Sequence, residues 1–300
     1  MLIKTFSDMQ KYIKTVGKKR LAVVMAEDEE VLAAVKQVRD EGIADVILTG
    51  SKRAIEDVAK KLNIDLHGFE IIDEPDAIKA AKLCNKLVRD GRASAIMKGM
   101  IDTSKFMKSV LDKETGLNTG NVVSSVAVFE LETYPKLLFI TDPAVMVAPD
   151  LEQKVKIIQN AVKVAQSLGI EKPLVACCCA VEKVNAAAMP ATIDAACLAK
   201  MSDRGQIPGC IVDGPFGLDN AVSEEAAKIK KVGGPVAGKA DIILCDAIES
   251  SNYLYKALVF LTKSKNALLI VGAAAPIIVT SRADSHETKY NSILLSLLCS

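Results

Sequence analysis

Three hundred residues, at about 150 per domain, leave room for roughly two domains and a large core, which excludes a miniprotein held by disulfides or a metal. The 38 Lys and Arg against 37 Asp and Glu give a net charge of +1, scattered along the chain, without the basic footprint of a nucleic-acid or anionic-membrane binder. Half the residues are hydrophobic, 4% are aromatic and none is Trp; that suits a core of buried parallel strands, not a base-stacking platform, and suggests a small, mobile substrate.

Short β-branched runs alternate with amphipathic segments from the start. Residues 21–26 precede a helical pattern over 29–40, 45–49 precede 52–62, and 69–72 precede 76–89. Residues 95–98 then lead to a helix beginning near Thr103. This is the signature of βαβ units and a parallel sheet. Two strand-like runs, 122–131 and 137–141, follow with Tyr134-Pro135 marking a turn between them. The break predicts an antiparallel pair or a domain crossing, and an exposed apolar strand pair there predicts self-association to at least a dimer. After Pro149 the alternation resumes. Helices over 151–168, 190–202 and 223–231 precede strands over 174–181, 210–212 and 242–245, respectively. A helix over 250–262, apolar runs at 267–271 and 277–280, and a last helix from Asp284 complete the pattern. The expected organisation is α/β and two-domain, with mixed, mostly parallel sheets and helices on both faces. Residues 1–130 with 268–300 form a discontinuous first domain and 131–267 a second, with the active cleft between them.

Eight cysteines raise the question of disulfides or a metal. Cys177, Cys178 and Cys179 are consecutive in an apolar run, the other five are isolated, no C-x-x-C occurs, and His67 and His286 lie far from the triplet in sequence. Successive strand side chains point to opposite faces, so the triplet does not make one site. The cysteines read as small reduced hydrophobes, and no metal site is expected. The N-terminus lacks an apolar signal core, and the most apolar stretch, 267–279, contains Gly272 and Pro276 and is too short to span a bilayer. A cytoplasmic protein with no membrane or nucleic-acid partner is the expectation.

Among motifs, Gly233 to Ala240 satisfies G-x-x-x-x-G-K, but Ala240 lacks the hydroxyl that a P-loop uses to hold magnesium, and the loop follows a helix and precedes a strand, the reverse of a P-loop. It reads as a glycine-rich turn. Three other segments place polar groups at predicted strand ends, where open α/β sheets bind ligands. Lys98, Gly99, Thr103 and Ser104 could form an anion site, although Asp102 or Thr103 also reads as a helix N-cap. Ser281 and Arg282 follow the last strand. Arg282 brings a bidentate cation for phosphate oxygens, while Asp284 and Glu287 fit a capping box. Asp213 ends a strand before Gly214-Pro215-Phe216. Asp203 and Arg204 read as a helix end and its surface pair.

At these segments the chain resembles the phosphate acyltransferases, on the butyryl rather than the acetyl side of the family. The resembling stretches are 98–105, 142–145, 190–203, 213–215, 234–244 and 276–284, whose order and spacing together are specific. The resemblance implies a two-domain fold like that of isocitrate and isopropylmalate dehydrogenases. It implies acyl transfer between coenzyme A and phosphate, with acyl-CoA, CoA, inorganic phosphate and acyl phosphate as partners and no tightly bound cofactor. By the same resemblance, Ser281 assists at the reacting carbonyl or thiol, Arg282 grips the phosphoryl group, and Lys98, Gly99, Thr103, Ser104, Asp213 and Asp284 bind substrate. The family's base would fall on Thr288, which cannot serve; Glu287 takes the role, with Asp284 and His286 as rivals. Pro143 stands where relatives can carry a cysteine. The competing readings are a phosphate acetyltransferase or branched-chain phosphotransacylase, a dehydrogenase on the related fold, and a small-ligand binding protein.

Overall fold

The computed structural model describes residues 1–281 and 284–300. Helix α1 (Phe6–Ile13) leads to β1 (Lys19–Val24), α2 (Glu29–Asp40), β2 (Ala44–Gly50), α3 (Lys52–Lys61), β3 (Glu70–Asp73), α4 (Ala77–Arg89), β4 (Ala95–Lys98) and α5 (Thr103–Val110). Strands β5 (Ser124–Leu131) and β6 (Leu138–Thr141) precede α6 (Leu151–Ser167), β7 (Leu174–Cys178), α7 (Ala191–Asp203), β8 (Ile211–Phe216), α8 (Leu218–Val222), α9 (Glu224–Lys230) and β9 (Ile242–Cys245). The chain continues through α10 (Ile248–Leu261), β10 (Ser264–Val271), β11 (Ile277–Ile278) and α11 (His286–Leu298).

Local chemistry sets these boundaries. Asp28, Ser51, Asp76, Asp102 and Asp150 each accept a first-turn backbone N–H at the start of α2 through α6, satisfying donors that the helix leaves orphaned. Within α2, Val31, Leu32, Val35 and Val38 bury one face, the 3.6-residue stripe that the sequence shows. Leu21 through Val24 of β1 are all buried, as befits a parallel strand covered on both sides.

The backbone forms two compact units, one of residues 7–121 with 267–300 and the other of 1–6 with 122–266. The division falls at 121/122 rather than at the expected 130/131. Strands β5 and β6 form one antiparallel hairpin, from Val126↔Thr141 to Phe129↔Leu138, and a hairpin buries its side chains in a single core. In the first unit the strand order is β3-β2-β1-β4-β11-β10. Strands β3, β2, β1, β4 and β11 run parallel, and β10 runs antiparallel to β11. In the second unit the order is β5-β6-β9-β7-β8, parallel except for β5.

Several sequence expectations are corrected. Strand β8 runs on through Gly214 and Pro215 to Phe216, so Asp213 lies within a strand; β8 is the edge strand, where a missing proline N–H is tolerated. Strand β7 stops at Cys178, and α8 has no counterpart among the predicted elements. The strand pair at 122–141 is not an exposed apolar surface. β6 lies between β5 and β9, with α6 and α10 packed on it, and its residues are buried. Exposed large apolar side chains stand instead on α10, at Tyr253, Phe260 and Leu261. No helix among the described residues is long and apolar enough to cross a membrane.

Candidate functional site

In the first unit the candidate residues gather at the carboxyl edge of the parallel strands. Lys98 closes β4 in register with Val24 of β1 and is 6% exposed. Just beyond it, Gly99 N–H donates to Val24 O at 2.8 Å and Met100 N–H to Met25 O at 2.6 Å. A Cβ on Gly99 would run into the Met25 carbonyl and lie 2.8 Å from that of Val24. The close approach this glycine permits is therefore to its own chain rather than to a ligand. Met25 itself takes a left-handed backbone, with φ 55°, to present that carbonyl. Asp102 caps α5 by accepting from Lys105 N–H at 3.0 Å, which leaves Thr103 and Ser104 exposed on the first turn.

Strand β11 pairs with β4 through Ile277↔Ile96 and Ile278↔Met97, so the segment after β11 leaves the sheet beside Lys98. There Ser281 N–H donates to Asp284 Oδ2 at 2.6 Å, and Asp284 N–H returns to Ser281 O at 3.2 Å. The capping box expected of Asp284 and Glu287 does not form. The Asp284 carboxylate is spent on Ser281, and Ser285 caps α11 by accepting from Thr288 N–H at 3.2 Å. Asp284 is 8% exposed. Burial pushes its carboxyl up, while the Ser281 N–H and the Lys289 ammonium pull it down. Glu287 is exposed on the first turn of α11, Thr288 is buried, and His286 stacks on Tyr290 with ring centroids 6.4 Å apart. Arg282 lies outside the described residues.

Asp213 belongs to the second unit and is not brought to this edge by the unit's own fold. Its Oδ1 accepts from Gly214 N–H at 2.8 Å. Burial pushes its carboxyl up; the Gly214 N–H opposes the shift and Asp203 adds to it. Gly234, with φ 98°, makes room for Asp213, because a Cβ there would stand 2.8 Å from Oδ2. The G-x-x-x-x-G-K segment is a turn between α9 and β9, closed by Gly238 against the backbone of Glu224.

At the carboxyl ends of β7 and β9 the second unit holds a cavity of about 740 Å³, lined by Cys178, Cys179, Ile243, Cys245, Leu218 and Leu254 among others. Cys178 and Cys179 both reach it, against the strict alternation expected of a strand, because β7 ends at Cys178 and Cys179 lies beyond it. All eight cysteines are free thiols. Burial pushes Cys179 up to about 11 and Cys245 up to about 12, so both are neutral at pH 7 and unsuited to nucleophilic attack. Beside the cavity, Lys154 Nζ donates to Asp194 Oδ2 at 2.7 Å and to Asp246 Oδ1.

Two features of the first-unit edge escape a reading of motifs. Met25 gives no signal, since nothing in its side chain marks a left-handed backbone. Lys289 does give one. It is a cation in the first turn of a helix whose following residues, Tyr290, Ile293 and Leu294, are buried, where the helix dipole disfavours positive charge. It is 2% exposed, and its Nζ donates to Asp284 O at 2.7 Å and to Ser281 O at 3.3 Å. Among the described residues no group of three or more His, Cys, Asp or Glu could hold a metal ion. The edge combines a buried lysine at one strand end, a serine after the next, Asp284 in the turn and Glu287 on the helix that follows, a set able to hold an anion and move a proton.

The family model described as phosphate acetyl/butaryl transferase matches residues 7–89 and 77–297. The chain is 52% identical to the phosphate butyryltransferase of Clostridium acetobutylicum over 297 residues, covering 99% of this chain and 98% of that protein. It is 47% identical to the phosphate acetyltransferase of Thermotoga maritima, covering 93% and 94% of the two chains. Among solved structures it resembles a branched-chain phosphotransacylase from Enterococcus faecalis, with a TM-score of 0.83 at 30% identity over 94% of this chain and 98% of that one.

Proposed function

The chain belongs to the phosphate acetyl/butyryl transferase family, and from that premise we propose that it moves a short-chain acyl group between coenzyme A and phosphate, converting butyryl-CoA and phosphate into butyryl phosphate and CoA. The observation that carries this reading is the 52% identity to a phosphate butyryltransferase along essentially the whole of both chains. The strand-end edge bearing Lys98 and Ser281 supports it chemically.

The acyl donor in either direction, thioester or acyl phosphate, is already activated, so the protein's task is to hold the two substrates together and to balance charge. A direct transfer in a ternary complex suffices. In the direction of acyl-CoA synthesis, Glu287 takes the proton of the CoA thiol, and the sulfur forms a bond to the acyl carbonyl carbon. The carbon–oxygen bond to phosphate breaks, and its electron pair leaves with the phosphate. A free thiol titrates near 8.5, so a neighbouring carboxylate raises the thiolate fraction at neutral pH. In this scheme Ser281 donates to the carbonyl oxygen, Arg282 grips the phosphoryl group, and Lys98, Gly99, Thr103, Ser104, Asp213 and Asp284 bind or orient the substrates. No tightly bound cofactor is required, and the protein works in the cytoplasm. Self-association to at least a dimer belongs to the same reading, supported by the exposed apolar side chains of α10; the molar mass in solution tests it.

The deciding experiment mixes protein, phosphate and acyl-CoA and follows the free thiol of released CoA. Release with butyryl-CoA is the expected outcome; no release with acetyl-, butyryl- or isobutyryl-CoA returns the chain to a binding protein. One methylene is worth about 1–3 kcal/mol of discrimination, so the three rates also separate the butyryl, acetyl and branched-chain readings. Ser281→Ala is expected to lower kcat by about 10- to 100-fold with the fold intact, and Arg282→Ala to abolish turnover.

A further inference from the structure

Lys289 is a buried cation in an expensive place. It lies in the first turn of α11, at the positive end of the helix dipole, and is 2% exposed. Burying an ammonium there is unfavourable unless its donors are met and its charge is balanced. The helix does not need it as a cap, because Ser285 performs that task. What Lys289 does contact is the turn after β11. Its Nζ donates to the carbonyls of Asp284 at 2.7 Å and Ser281 at 3.3 Å, the two residues that also close on each other through Ser281 N–H and Asp284 Oδ2. The Asp284 carboxyl, held down in part by the Lys289 charge, is the nearby balancing group.

We propose that Lys289 is a positioning residue for acyl transfer: its buried ammonium ties the Ser281 and Asp284 carbonyls to α11 and so fixes the direction in which Ser281 presents its hydroxyl. The proposal rests on the reading of Ser281 as a site residue. The Ser281 N–H is held by Asp284 and its carbonyl by Lys289, so the backbone torsions on both sides of its Cα are fixed and with them the direction of Cβ; freeing the carbonyl loosens that hold and lets Oγ shift. A misplacement of about 1 Å costs on the order of 100-fold in rate. Binding of CoA and phosphate through other groups would change little, so the loss falls on kcat rather than on KM.

The test is steady-state kinetics of the full chain with butyryl-CoA and phosphate, with Ser281→Ala as reference and thermal melting to verify folding. Lys289→Met is expected to lower kcat by about 10- to 100-fold with both KM values held within about twofold. Lys289→Arg, which keeps charge and donors, is expected to recover most of that loss. If Lys289→Met does not fold, Asp284→Asn/Lys289→Met removes both charges and takes its place, measured against Asp284→Asn. A kcat of Lys289→Met within about fivefold of the unsubstituted chain, or of Asp284→Asn/Lys289→Met within about fivefold of Asp284→Asn, or a Lys289→Arg as slow as Lys289→Met, overturns the proposal while Ser281→Ala stays impaired. Full activity of Ser281→Ala overturns the reading of the site instead.

Discussion

Gly99 leaves no room for even a methyl group, since the carbonyls of Val24 and Met25 occupy the space where a Cβ would stand. Gly99→Ala is therefore expected to cost about 1–3 kcal/mol by overpacking and to lower activity by displacing Lys98, as melting and turnover would show together. Gly233→Ala is the control: nothing lies within 4 Å of its Cβ position, so a change within about 0.5 kcal/mol is expected. The two glycines illustrate how unevenly residue roles can be read from sequence. Lys98-Gly99 was recognisable as a strand end, but what the glycine approaches depends on a left-handed Met25 that no motif announces. At Asp284, a D-x-x-E pattern fits both a cap and a turn-closing carboxylate. The outcome is decided by Ser281 N–H, which reaches the carboxylate first, and by Ser285, an equally good cap one residue later.

Helix ends carry the next level of consequence. Ser285→Ala is expected to destabilise by about 1 kcal/mol through loss of the α11 cap, with a matching fall in melting temperature. Glu41, at the end of α2, links three helices. It accepts from Gln10 of α1, from Gln37 of its own helix and from Tyr290 of α11, each at 2.8 Å, and pairs with Lys14 at 3.2 Å. Burial alone would raise its pKa, but these donors win and hold it at about 2 against an ordinary 4.5. The folded value lies below the unfolded one, so the stabilisation is complete above about 4.5 and drains away as the pH falls toward 2. Glu41→Gln is expected to flatten the acid side of the stability profile over that window, measured by melting temperature against pH. None of this cluster was legible in advance. Its members lie up to 280 positions apart, as Gln10 and Tyr290 do, and pairings at that distance come from packing rather than from local pattern.

At the scale of the molecule, the βα alternation was legible because each element is specified locally, by apolar period and by Asp or Ser caps. Strands such as β4 and β9 begin and end where the sequence places them, as does α2. Strand order was not legible, because β11 enters between β4 and β10 from a segment almost 180 residues beyond β4. The site shares that difficulty: Lys98 and Ser281 meet at one edge through this long-range pairing alone. The same connectivity dictates an order of events during synthesis. Residues 7–121 emerge from the ribosome early, yet their sheet lacks β11 and the α11 cover on α2 until residues 267–300 follow. The unit built from 122–266 needs from earlier chain just residues 1–6, anchored by Ile3 N–H to Leu168 O at 2.9 Å, and can close first. Domains that are continuous fold in the order they are made; here the earlier-born half waits for the later one. Nascent chains stalled with residues 1–266 exposed are expected to resist protease across 122–266 while remaining cleavable within 7–121. Equal resistance of both stretches would show that the first half holds itself together without its last three elements.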